Sequence, residues 1–93
     1  MPDNKYLQDF KLRVDAMKNL ISELDQTIVN PEARDYFLSM PKNNLREAEL
    51  FLADPTNQTV GIAGSALTFA EQQLVYAKKL VAKYGPNIKI TGG

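Results

Sequence analysis

The chain has 93 residues, of which 44% are hydrophobic, which is enough for one domain and too few for a second core. Eleven lysines and arginines balance eleven aspartates and glutamates, so overall charge indicates neither a nucleic-acid partner nor a cationic one. The chain has no cysteine, histidine or tryptophan, which excludes disulfides, zinc–thiolate sites, cysteine nucleophiles and every histidine-dependent catalytic triad.

The first segment, from about Asp3 to Val29, is predicted to be one long α-helix. Its apolar residues recur at alternating intervals of three and four, which keeps one side of a helix hydrophobic for about seven turns. Pro2 and Asp3 are typical of a helix start, and Asn30-Pro31 predicts its end because proline disfavours helical geometry in the preceding residue. The stripe consists of Leu7, Phe10, Val14, Met17, Ile21, Leu24 and Ile28.

The second segment, residues 31–53, is predicted to be two helical pieces that meet near Pro41. Asn30 is a suitable cap for the first piece, and Asn44 followed by Glu47 resembles a capping box at the start of the second. A single helix kinked at Pro41 is the alternative. The apolar faces of the two pieces are Ala33, Tyr36, Phe37 and Met40, and then Leu45, Ala48, Phe51 and Leu52.

The third segment follows a polar loop over residues 55–59 and is predicted to be one helix that begins near residue 60. A start near Phe69 is the alternative, because Thr68 and Glu71 form a capping box of their own. The apolar residues recur every seventh position along several lines. These lines are Val60, Leu67, Leu74 and Val81; Ala63, Ala70, Ala77 and Tyr84; and Ile62, Phe69 and Tyr76.

Gly85 and Pro86 predict the end of the third helix, since glycine adopts the left-handed cap and proline prevents continuation. Ile88 and Ile90 follow in a short tail that either docks loosely through these isoleucines or is disordered. The predicted organisation is therefore a single helical domain over residues 1–85 and a C-terminal tail over residues 86–93.

Apolar groups cover roughly 160° of the third helix, against about 100° for an ordinary surface helix, which predicts two neighbouring helices at once. Its alanines permit one neighbour to approach closely. The predicted fold is all-α: a small antiparallel bundle of three long helices, or four to five if the second and third are broken near Pro41 and Thr68. A homodimer formed through the first helix as a coiled coil is the alternative.

The chain is predicted to be no enzyme and to take no cofactor or metal. Glu47 and Glu49 are two residues apart, so on a helix they point in different directions and form no catalytic pair. The glycines in residues 61–65 lack the following lysine of a phosphate-binding loop, and helix packing explains them better. No serine has a histidine base.

The predicted function is a non-enzymatic protein-interaction module. Size and helical pattern resemble those of small bacterial and phage accessory proteins, including inhibitors and immunity proteins, although no motif assigns the chain to one family. Leu12, Leu50 and Val75 lie off their apolar stripes, so we expect them to be exposed. With Tyr36 and the C-terminal tail, they are the predicted contacts for another protein of unknown identity.

The alternative function is weak nucleic-acid binding through the C-terminal lysines, Lys78, Lys79, Lys83 and Lys89. Lysines near the end of a helix also complement its negative C-terminus, and the chain has no helix-turn-helix spacing. Nucleic acid is therefore the less favoured partner. A carrier for an apolar ligand is a third hypothesis, which the close-packing alanines disfavour.

Membrane association is not expected. Residues 1–11 alternate charge and polarity without the apolar core of a signal peptide. No run approaches the roughly 18 uninterrupted apolar residues of a membrane span. We therefore expect a cytoplasmic protein.

Overall fold

The computed structural model describes residues 4–55 and 60–90. Within them, the chain forms three packed helices, α1 (Asn4–Thr27), α2 (Pro31–Ala53) and α3 (Val60–Tyr84). The predicted all-α bundle of three long helices is thereby confirmed. The predicted helix start at Pro2 and Asp3, the loop residues 56–59 and the tail residues 91–93 lie outside the described residues.

α1 buries the stripe that the alternating spacing predicts. Phe10, Val14 and Leu24 are at most 2% exposed, and Met17 and Ile21 are half-buried beside them. The stripe packs against the other two helices of the same chain, because its residues belong to core clusters that also contain side chains from α2 and α3. The hydrophobic side of α1 is thus used inside the bundle.

The connection between α1 and α2 is fixed by defined hydrogen bonds. The Asn30 side-chain oxygen accepts a hydrogen bond from the backbone N–H of Ala33 at 2.9 Å, which confirms the predicted N-cap. Pro31 occupies the first helical position, where its missing N–H would have no partner. The Arg34 side chain donates back to the carbonyl oxygen of Ile28 at 3.2 Å.

α2 is continuous through Pro41, so the predicted division into two pieces is wrong. Asn44 and Glu47 lie inside the helix and cap no end. A proline in a helix interior removes one backbone hydrogen bond and costs about 3 kcal/mol. The Pro41 ring is less than 2% exposed, and this burial offsets part of that cost. Tertiary packing therefore outweighs the local signal for a break.

Replacing Pro41 by alanine is expected to raise the free energy of unfolding by about 1 kcal/mol. The substitution removes the roughly 3 kcal/mol cost of an interior proline and loses two buried methylenes, worth about 1.6 kcal/mol. Urea denaturation followed by circular dichroism measures the difference, and Ser39→Ala at an exposed neighbouring position is the control for helix propensity. A fall in stability would show that packing of the ring outweighs the lost hydrogen bond.

α3 runs unbroken from Val60 to Tyr84, which confirms the single long helix over a start beyond Thr68. Gly85 ends it as predicted. Its φ of 90° lies in the left-handed region that glycine adopts without strain, and its N–H donates to the carbonyl oxygen of Val81 at 2.7 Å.

The core consists of two clusters, one toward each end of the bundle. Each cluster contains residues from all three helices. In one, the first halves of α1 and α3 meet the second half of α2, and in the other, the second halves of α1 and α3 meet the first half of α2. α2 is therefore antiparallel to both α1 and α3. The phenylalanine cluster contains Phe10, Val14, Leu45, Ala48, Phe51, Ala63 and Leu67. The leucine cluster contains Leu24, Ile28, Ala33, Leu38, Leu74, Ala77 and Val81.

α2 and α3 make the most extensive contact of the three helix pairs. The alanines of α3 lie in the interior, where Ala63, Ala70 and Ala77 are at most 2% exposed. Side chains this small let two backbones approach toward the short end of the usual 8–10 Å helix separation. At the edge of this alanine seam, Asn44 donates a hydrogen bond to the Gln73 side-chain oxygen at 3.1 Å.

Every ion pair between helices in the described residues involves α1. Arg13 binds both carboxylate oxygens of Glu71 on α3, and this hydrogen bonding raises the pKa of the Arg13 guanidinium. The side chains are partly or largely exposed, and such pairs are typically worth about 0–1 kcal/mol each. The other three pairs are Lys18–Glu49, Lys42–Asp25 and Lys78–Glu23.

The described part of the C-terminal tail, residues 86–90, docks on the bundle. The backbone N–H of Val29 donates to the carbonyl oxygen of Pro86 at 2.9 Å, which ties the tail to the α1–α2 connection. Ile88 and Ile90 are half-buried against the leucine cluster. Of the two predicted alternatives, docking through the isoleucines is the one observed.

Candidate functional site

The outer sides of α2 and α3 carry large apolar side chains that the bundle leaves uncovered; Tyr36, Met40 and Tyr76 share one cleft between these helices, whereas Phe69 lines a cleft with Tyr6 of α1. On α3 they recur every seventh residue and form one line, and on α2 they are one turn apart. Each is between 56% and 65% exposed. We refer to these five residues, Tyr36, Met40, Ile62, Phe69 and Tyr76, as the apolar face.

Tyr76 lies where two clefts meet. The first cleft, of about 290 Å³, lies between the helices, and the second, of about 340 Å³, lies on the outer side of α3. The ring of Tyr36 packs edge-on against half-buried Phe37, with 5.2 Å between ring centroids. The first cleft is lined by Tyr36, Phe37, Met40, Pro41, Gln73 and Tyr76, and the second by Glu71, Gln72, Val75, Tyr76 and Lys79.

The structure brings together two of the four predicted partner contacts. Tyr36 and Val75 lie on either side of Tyr76, each in one of its clefts. Leu12 is 67% exposed on α1, and Leu50 is 58% exposed on α2, and neither lines these two clefts. The predicted exposure of Leu12, Leu50 and Val75 is confirmed, and their role in binding stays a prediction.

Sequence reasoning missed most of the apolar face, because it placed Ile62, Phe69 and Tyr76 on a stripe to be buried by α1 and α2. The two neighbouring helices bury the line of Leu67, Leu74 and Val81 and the line of Ala63, Ala70 and Ala77, but they leave the line of Ile62, Phe69 and Tyr76 exposed. The width of the apolar stripe on α3 could have predicted that one line of residues stays exposed. A helix that is apolar over roughly 160° offers more surface than two neighbours cover.

The predicted lysine patch is divided between two sides of α3. The Lys78 amine lies 4.0 Å from a Glu23 carboxylate oxygen and so faces α1. Lys79 lines the second cleft at Tyr76, and the Lys83 amine lies 5.2 Å from the centroid of the Tyr84 ring. Lys89 is exposed in the tail.

The described residues contain no group of three acidic side chains placed to hold a metal ion. Their interior is apolar, with no buried polar or charged residue. No described helix combines the length and the hydrophobicity that crossing a membrane requires.

Comparison with known protein families, curated proteins and solved structures finds no match to this chain. The geometry of the apolar face is therefore the basis on which a function is proposed below.

Proposed function

We propose that the chain is a non-enzymatic protein-interaction module that binds its partner through the apolar face. The observation that carries this proposal is the convergence of Tyr36, Met40 and Tyr76, each at least 60% exposed, around one cleft. Contiguous exposed apolar groups with a polar surround are typical of protein-binding sites. Tyrosine, phenylalanine and methionine are also among the residue types enriched in interface cores.

The shape of the apolar face favours an amphipathic helix as the bound element. Ile62, Phe69 and Tyr76 form a line about 21 Å long, since α-helical residues rise about 1.5 Å each. The cleft between Tyr36 and Tyr76 offers a pocket for one anchoring side chain. A helix docks on such a surface with residues at intervals of three, four and seven.

A cytoplasmic accessory or inhibitor role, of the kind that small bacterial and phage proteins fulfil, is the setting we propose for this binding. Nucleic-acid binding through Lys78, Lys79, Lys83 and Lys89 stays the second prediction. Pairing of Lys78 with Glu23 removes one cation from that patch, and we find no arrangement of the four lysines that favours it.

The test is affinity capture from an extract of the source cells, with Tyr76→Glu compared with Ala16→Glu. Both positions are exposed and helical, so both variants are expected to fold, but only the first places a charge in the apolar face. The wild-type chain and Ala16→Glu are expected to capture the same protein, and Tyr76→Glu about tenfold less or below.

The captured protein is then purified and titrated against the three chains by calorimetry, to exclude indirect capture. Equal affinity of the Tyr76→Glu and Ala16→Glu variants for it would overturn the proposal. So would a failure of the wild-type chain to capture any protein, itself included, in a manner that depends on Tyr76.

A further inference from the structure

The leucine cluster is covered in part by residues 88–90, a segment that is neither helix nor turn. Ile88 and Ile90 are half-buried against the cluster, and Lys89 between them is exposed. In an extended chain, residues two positions apart project to the same side, so the two isoleucines contact the bundle together. We refer to the part of the leucine cluster that these isoleucines cover as the tail site.

The tail is held at the tail site by its isoleucine side chains alone. Residues 86–90 take part in two backbone hydrogen bonds. The Pro86 carbonyl oxygen accepts one from Val29, and the Ile88 N–H donates the other to the Gly85 carbonyl oxygen at 3.2 Å, within a turn. Among the described residues, the segment from Ile88 onward makes no hydrogen bond or ion pair with a helix.

The turn that precedes the tail site can act as a hinge. Pro86 is the second residue of the turn over residues 85–88, where its fixed φ is favourable, and Asn87 after it is exposed. Hinges consist of a few such residues at the end of an element. Rotation at Asn87 would withdraw both isoleucines and leave the hydrogen bond between Val29 and Pro86 in place. Release of the tail therefore leaves the three helices undisturbed.

We propose that the tail site binds an extended segment of a partner protein, and that the tail is a built-in competitor of that segment. The segment that occupies the site in this structure defines the chemistry of the partner: two branched aliphatic side chains two positions apart, with a solvent-exposed residue between them. The leucine cluster contains none of the five residues of the apolar face, so this inference goes beyond the proposed function.

Attachment to the same chain gives the tail an advantage over a free segment. A short linker holds a tethered group near its site at an effective concentration of about 1 mM or more. A free segment binds only the molecules from which the tail has withdrawn, so its apparent dissociation constant rises in inverse proportion to that fraction. A tail that covers the site about 90% of the time weakens the binding of the free segment about tenfold.

Fluorescence polarisation with a labelled peptide tests the site on the full chain. The peptide is Pro-Asn-Ile-Lys-Ile-Thr, the sequence of residues 86–91. The double variant Ile88→Ser with Ile90→Ser is expected to bind it at least about tenfold more tightly than the wild type. Lys89→Ser is the matched control and is expected to bind like the wild type, because its side chain is exposed. A peptide with serine at both isoleucine positions is expected not to bind. Circular dichroism verifies that the variants remain helical.

A second experiment uses the wild-type chain and needs no substitution. The chain is labelled at its isoleucine methyl groups and titrated with the unlabelled peptide to millimolar concentration. The methyl resonances of Ile88 and Ile90 are expected to move toward the positions of an unstructured peptide as the tail is displaced. Ile62, which is 65% exposed on α3, is the internal control and is expected to stay unchanged.

Equal binding of the peptide by the double variant and the wild type would overturn the proposal, as would equally tight binding by Lys89→Ser. A wild-type mass above 10.4 kDa that returns to 10.4 kDa in the double variant would overturn the assignment to a partner protein, because the site would then hold the tail of a second copy. Adding Tyr76→Glu to the double variant is expected to leave peptide binding unchanged. A loss would place the peptide on the apolar face and overturn the tail site, with the proposed function still standing.

Discussion

Replacing Phe51 by alanine is expected to lower the free energy of unfolding by about 3–5 kcal/mol. Phe51 is 2% exposed in the phenylalanine cluster, and its ring meets the ring of Phe10 edge-on with 4.9 Å between centroids. The substitution removes that contact and leaves a cavity that neighbouring helices fill only in part. A domain of this size is stable by roughly 5–10 kcal/mol, so the variant would keep about half of its stability or less.

Urea denaturation followed by circular dichroism measures this loss, and Phe69→Ala is the matched control. Phe69 is the same residue type at 56% exposure, so its truncation in the monomeric chain is expected to change stability by about 0.5 kcal/mol or less. A loss below about 1 kcal/mol for Phe51→Ala, or equal losses for both variants, would contradict the burial described for Phe51.

Replacing Leu74 by alanine is expected to cost about 2–5 kcal/mol. Leu74 is 0% exposed in the leucine cluster, where it packs with Leu24 and Leu38 at the other end of the bundle from Phe51. The same denaturation experiment measures the loss, with Leu12→Ala at a position 67% exposed as the control. A loss comparable to that of the control would contradict the central position of Leu74.

The double variant of Phe51 and Leu74 tests how independent the two clusters are. Phe51 and Leu74 belong to different buried clusters, and losses at such separated sites usually add within about 0.5 kcal/mol. Added together, the two losses are comparable to the whole stability of the domain, so the double variant is expected to be largely unfolded at 25 °C. A double variant that stays fully folded would indicate coupling between the clusters, for which Met17 and Ile21 are the bridging residues.

The helices and their ends are predictable because their signals are local. The spacing from Leu7 to Ile28 defines α1, Asn30 caps α2, and Gly85 ends α3 through its own backbone conformation. Pro41 is the exception. Its local effect favours a break in the helix. The burial of its ring is a tertiary contact, which the neighbouring residues in the sequence do not predict.

The candidate site was predictable only in part, because it depends on how α2 and α3 are aligned. The exposure of Val75 follows from its place opposite the apolar stripe. Tyr36 and Tyr76 share a cleft because the two helices are aligned with Asn44 beside Gln73. This alignment cannot be read from the sequence of either helix alone. The residue pattern shows that α3 is too broad for two neighbours, and only the packed bundle shows which line is left uncovered.

Because of where its ion pairs lie, added salt is expected to weaken the attachment of α1 and not the contact between α2 and α3. The four pairs between helices all attach α1, and their partly or largely exposed charges are screened as salt is added. The alanine seam between α2 and α3 contains no such pair in the described residues, so screening leaves that contact unchanged. The helix whose attachment responds to salt is therefore α1, which contributes none of the five residues of the apolar face and borders it through Tyr6, in the cleft beside Phe69.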